Sequence, residues 1–131
     1  MSAYNAAPIL GVTSIAPGDS VQVWSAEQPV PGAGGASASQ QVALTRAQNV
    51  SREVIFQGFF SGAPGVFEVD CQGSESDVDS QYQTLPAGNI TTVDSVNQTF
   101  RYNASDVPRF ARMLMRSRTN AVAVTASIAE S

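Results

Sequence analysis

The chain has 131 residues, with seven basic residues that are all arginine, 11 acidic ones and a net charge of −4, a size that suits one domain burying about two-thirds of its unfolded surface. The acidic balance excludes a nucleic-acid binder, which needs a basic surface against phosphates, and neither a long apolar span nor a signal peptide is visible, so no membrane partner is expected. With no histidine, no lysine and one cysteine, the chain lacks the commonest general base, the Schiff-base amine, an internal disulfide and a multi-cysteine zinc site; this leaves a binding or structural module with no cofactor and no enzymatic activity.

Residues 1–8 are small and polar and read as an N-terminal arm. Residues 9–28 carry N-terminal strands, among them the alternating Ser20-Val-Gln-Val-Trp24. Residues 29–41 are rich in Pro, Gly, Ala and Ser and read as a long loop, because they offer too little apolar bulk to offset ordering. The part before that loop is too small to fold alone, so it adds strands to the same domain or reaches to a neighbouring subunit. Residues 42–131 form the main sandwich.

Within that sandwich Arg52–Phe60 is an apolar strand candidate, and in Gly65–Gln72 the side chains of Phe67, Val69 and Cys71 oppose Glu68 and Asp70, the pattern of a half-buried strand. Gln81–Leu85, Asn89–Val93 and Asn97–Tyr102 are strand-length segments. Turn chemistry separates these segments at Ala63-Pro64-Gly65, Pro86–Asn89 and Asp94–Asn97. Asp106–Arg118 has a capping aspartate and an early proline, and its apolar residues fit either a helix or a strand. The surrounding β context favours a short turn followed by a strand, with Ser117–Ala121 as a hairpin connection into Val122–Ile128. The predicted fold is all-β: an antiparallel β-sandwich, jelly-roll or Ig-like, of about eight strands in a single domain.

Five of the seven arginines lie between Arg101 and Arg118. On a strand, Phe110, Arg112, Leu114 and Arg116 share the outward face, with Arg118 close by, and arginine interleaved with apolar bulk is an interface composition. These residues are the candidate partner surface, and replacing Arg112 and Arg116 by alanine is expected to spare the fold and weaken assembly. Asp77 and Asp79 are weak candidates for calcium ligands, although an acid-rich turn explains them as well. Trp24 and Cys71 read as core residues. Four N-x-S/T triplets (Asn49, Asn89, Asn97, Asn103) read as polar strand and turn positions.

Gly62-Ala-Pro-Gly-Val-Phe-Glu-Val-Asp70, Asp77-Val-Asp-Ser-Gln-Tyr82, Asn89-Ile-Thr-Thr-Val-Asp94, Pro108-Arg-Phe-Ala-Arg112 and Arg116–Ala126 together resemble small virion proteins of tailed bacteriophages, of the capsid decoration (cement) type. The resemblance implies a non-enzymatic jelly-roll or similar sandwich, often a homotrimer, located on the capsid surface and bound to the major capsid protein. A tail, neck or fibre-base component carries the same features. A carbohydrate-binding β-sandwich is the alternative of another class, with Trp24, Tyr82 and Tyr102 as its aromatic candidates.

Overall fold

In the computed structural model, residues 13–15, 18–31, 37–44, 53–105 and 107–130 are described. The expected arm at 1–8, and with it the question of whether it crosses to a neighbour, lies outside them, as does Asn49. Among the described residues the chain forms β1 (Thr13–Ile15), β2 (Ser20–Glu27), β3 (Val42–Leu44), β4 (Val54–Phe60), β5 (Phe67–Ser74), β6 (Gln83–Ile90), β7 (Thr99–Ala104), β8 (Phe110–Arg118) and β9 (Val124–Glu130). They build a five-stranded sheet, β1-β3-β8-β5-β6, packed on a four-stranded sheet, β2-β9-β4-β7.

The pairing shows which sandwich this is. β2 pairs with β9, β3 with β8, β4 with β7 and β5 with β6, all antiparallel, and these pairs alternate between the two sheets. The chain is therefore one long doubled strand with its tip at the β5–β6 connection. Winding it up brings β9 beside β4 and β8 beside β5. That is the jelly roll, not the Ig-like arrangement, with β1 added in parallel on β3. Both strands before the Pro/Gly-rich loop thus join the same two sheets.

Alternation explains the core. Val54, Phe56 and Phe60 of β4 point inward, with Phe67, Val69 and Cys71 of β5 and Val124, Ala126 and Ile128 of β9. The Phe60 ring sits edge-on to Phe67 at 5.0 Å and 5.7 Å from Phe100, joining the two sheets through aromatic contact. Trp24 is buried because β2 bulges between Gln22 and Trp24. The extra residue re-aims the indole from the Gln22 face to the core.

Three local expectations change. Pro86–Asn89 is no hairpin: β6 continues through it, and the segment bulges out opposite Cys71, with Ala87 at φ 61°. A proline and a bulge are tolerated there because β6 is an edge strand, and they blunt that edge. Tyr102 on β7 donates its hydroxyl proton to the bulged Pro86 carbonyl at 2.5 Å and closes that side of the sandwich. Ser117–Ala121 is likewise no hairpin, since β8 and β9 belong to different sheets. Finally, β5 is buried on both faces, because it is flanked by β8 and β6 and covered on the outside.

Gly58 lies at the centre of the four-stranded sheet, opposite Ala126 and Phe100. A Cβ there would meet the Thr125 carbonyl at 2.7 Å and both Ala126 Cβ and Phe100 Cζ at 2.8 Å. Backbone and ring cannot both retreat, so Gly58→Ala should lower stability by about 1–3 kcal/mol. Urea denaturation of the purified variant measures it.

Candidate functional site

The arginine-bearing strand forms as expected, but it does not present the expected surface. Phe110, Arg112 and Leu114 do face outward from the sheet, yet all three are buried. The β5–β6 connection folds back over this face. Within it Ser74 donates to the Ser76 carbonyl, residues 79–81 make a single 3-10 turn, and Tyr82 donates to Asp77 Oδ1 at 2.8 Å. Arg112 lies beneath. It donates to Gln72 Oε1 at 2.8 Å, pairs with Asp79 at 2.6 Å and stacks under the Tyr82 ring at 4.1 Å. Asp77 and Asp79, the weak calcium candidates, thus each accept a hydrogen bond from within the chain, Asp79 with its side chain 60% exposed. Phe110 is covered in part by the Arg109 guanidinium, 5.4 Å from its ring centre.

Beside this lies a second buried polar cluster. Asp70 is 2% exposed and accepts from Asn89 Nδ2 at 2.6 Å, from Thr84 Oγ1 at 3.0 Å and from Arg116. Arg116 is the most accessible of the five candidates, with its side chain 52% exposed. Arg118, at the end of β8, is half-buried. The expected interface set is thus mostly internal glue. Sequence pattern could not reveal this, because the covering loop is polar and its seal depends on Tyr82 folding onto Arg112.

Tyr82 and Trp24 are buried, and Tyr102 is committed to Pro86, so none of the three is an exposed stacking platform. Burial pushes the Cys71 thiol far above its usual range, and the neighbouring Asp70 carboxylate adds to this. Burial also raises the Tyr82 phenol, reinforced by its hydrogen bond to Asp77. These are structural groups held in their neutral forms.

Apart from Val78 on the covering connection and Phe59 on the other sheet, the exposed large apolar side chains lie elsewhere. In the doubled-strand topology the connections β2–β3, β4–β5, β6–β7 and β8–β9 all emerge at one end of the sandwich. Three of them carry an exposed valine: Val30 at 56%, Val66 at 77% and Val96 at 84% exposed. The turns that hold two of these valines are locked. Gly65, at φ 74°, follows Pro64 in a tight turn, the Val66 carbonyl accepts from the Thr119 amide and hydroxyl, and Asn120 donates to the Ala63 carbonyl. Across the same end, Asp94 Oδ1 accepts from the amides of Val96 and Asn97 at 2.8 and 3.1 Å. Sequence reading found the turns but missed the valines, because only the topology brings these four loops together.

No protein-family model and no curated protein matches the chain. Among solved structures it is similar to the pre-peptidase C-terminal domain of a collagenase from Bacillus anthracis, with a TM-score of 0.40 and 11% identity over 92% of this chain and 94% of that one. The jelly-roll assignment rests on this chain's own strand order.

Two outcomes test the buried clusters. Arg112→Ala should destabilise by about 2–4 kcal/mol in urea titrations, since it strips packing from Tyr82 and orphans Gln72 Oε1. The second concerns alkaline pH. Above the thiol's ordinary value of 9.0 the unfolded chain releases a proton that folded Cys71 retains. The contribution of Cys71 to stability should therefore be constant on the acid side of that value and decline by roughly 1 kcal/mol per pH unit above it. Cys71→Ala should remove most of this slope in the same titrations, compared below the ordinary tyrosine value of 10.0.

Proposed function

We propose that the protein is a non-enzymatic adhesion module of the virion, docking end-on to the outer capsid surface through the four-loop end of its jelly roll. One observation carries the reading: that end offers exposed valines, and those at Val66 and Val96 sit on turns already fixed by hydrogen bonds. Apolar tips held rigidly lose little conformational freedom on contact, so burying them contributes to affinity almost undiminished. The opposite placement, on loose loops, would spend that gain on ordering. The outer face of the five-stranded sheet supports the same choice, since Arg112, Phe110 and Leu114 on it are already buried within the chain.

The partner comes from the sequence resemblance, which points to the major capsid protein and to a trimer of this chain. Many copies on a symmetric shell act together, so each contact can be modest. Purified protein mixed with undecorated phage shells should co-sediment, and Val66→Asp combined with Val96→Asp should abolish co-sedimentation while leaving the melting temperature unchanged. Both positions are exposed, which makes a folding defect an unsuitable explanation for lost binding. Wild-type protein that stays in the supernatant, or a double variant that still pellets with the shells, overturns the reading. Light scattering measures the trimer.

A further inference from the structure

Among the described residues the outer face of the four-stranded sheet is unlike that of the five-stranded one: it is open and hollow. A trough of about 500 Å³ crosses it, lined by Gln22, Gln57, Phe59, Thr99, Arg101, Thr125 and Ser127 above a floor of Gly58, Phe100 and Ala126. The register places Gln22 beside Ser127, Ser127 beside Gln57, and Gln57 beside Arg101, so one polar row spans all four strands. At the strand spacing of a sheet this row is about 14 Å long. Phe59 forms the next row with Thr99 and Thr125, and the residue is 48% exposed. The Arg101 guanidinium is steadied by donating from Nε to Asn103 Oδ1 at 3.0 Å.

We infer that this trough binds a short stretch of neutral polysaccharide, a site separate from the end-on docking surface. The lining decides the ligand class by its chemistry. Among its described lining residues the one charged group is Arg101, on a chain of net charge −4, so a polyanion or a phosphate-rich ligand finds a single cation there and an opposing field. An extended peptide recognised through its backbone would pair with a sheet edge, and the trough lies on a face. A wholly apolar ligand would meet one exposed ring among amides and hydroxyls. Sugar rings fit what is left. Their hydroxyls both donate and accept, as do the Gln22 and Gln57 amides and the Ser127, Thr125 and Thr99 hydroxyls, and Arg101 adds a rigid fork of donors. The C–H face of a ring has Phe59 to rest on. The row's length across four strands suits an oligosaccharide better than a single sugar.

A printed glycan array, followed by calorimetry with the best neutral oligosaccharide on it, tests this. Wild-type protein should bind at least one neutral glycan. Gln57→Ala, Arg101→Ala and Phe59→Ala should each weaken that binding by about tenfold, the equivalent of one lost hydrogen bond or ring contact, with melting temperature unchanged. The Val66→Asp/Val96→Asp variant should bind the glycan as wild type does, which keeps failure of this site distinct from failure of the docking end. A silent array overturns the inference, as does glycan binding that survives all three trough substitutions. Trough substitutions that leave glycan binding intact but stop co-sedimentation with shells would reassign the face to a protein partner.

Discussion

A carboxylate buried on the outside of a sheet must be matched where it stands, and Asp70 sets that condition for this molecule. Its partners come from both neighbouring strands: Arg116 from β8, and Thr84 and Asn89 from β6. Leaving such a charge without them would cost several kcal/mol, far more than a typical surface contact returns. A slip of β5 by one residue would turn Asp70 into the core and Cys71 out of it. The cluster therefore pins the register of three adjacent strands at the closed tip of the doubled chain. Arg112 does the same one step further along, tying β8 to Gln72 on β5 and to the loop that closes the tip.

Once that register is held, the rest of the winding follows. With β5 and β8 aligned, β4 and β9 face them across the aromatic contact of Phe60, Phe67 and Phe100. Tyr102 then latches β7 to the bulge in β6 along one open side. The two sheets end with different outer faces. One is filled by its own loop and serves stability. The other carries no covering segment among the described residues and keeps a polar hollow. The loop end is a third kind of surface, in which backbone hydrogen bonds hold apolar tips outward. The apolar tips and the polar hollow are thus the two surfaces that the chain leaves open to a partner among its described residues.

Much of the fold was legible in the sequence because strand alternation is a local property. Phe67, Val69 and Cys71 point inward as their spacing demands, as do Val124, Ala126 and Ile128, and the turn at Pro64-Gly65 sits where its chemistry places it. Bulges are where alternation failed. Trp24 belongs to the core only because β2 gains a residue, and Pro86–Asn89 became part of a strand because an edge tolerates what a central strand would not. The candidate surface on β8 failed for a different reason. Alternation correctly put Arg112 and Leu114 on the outer face, but outer means exposed only when nothing folds over it.

By itself the sequence determined the all-β class, the inward-facing residues and the chemical inventory, since each depends on residues a few positions apart or on composition alone. Only the tertiary structure decided the jelly roll over the Ig-like alternative, sealed Arg112 beneath the β5–β6 connection, gathered Val30, Val66 and Val96 at one end and aligned Gln22, Ser127, Gln57 and Arg101 across a trough. The physical reason is range. Strand pairing joins residues as far apart as Gln22 and Ser127, and no local pattern encodes which partner the winding of the chain will bring alongside.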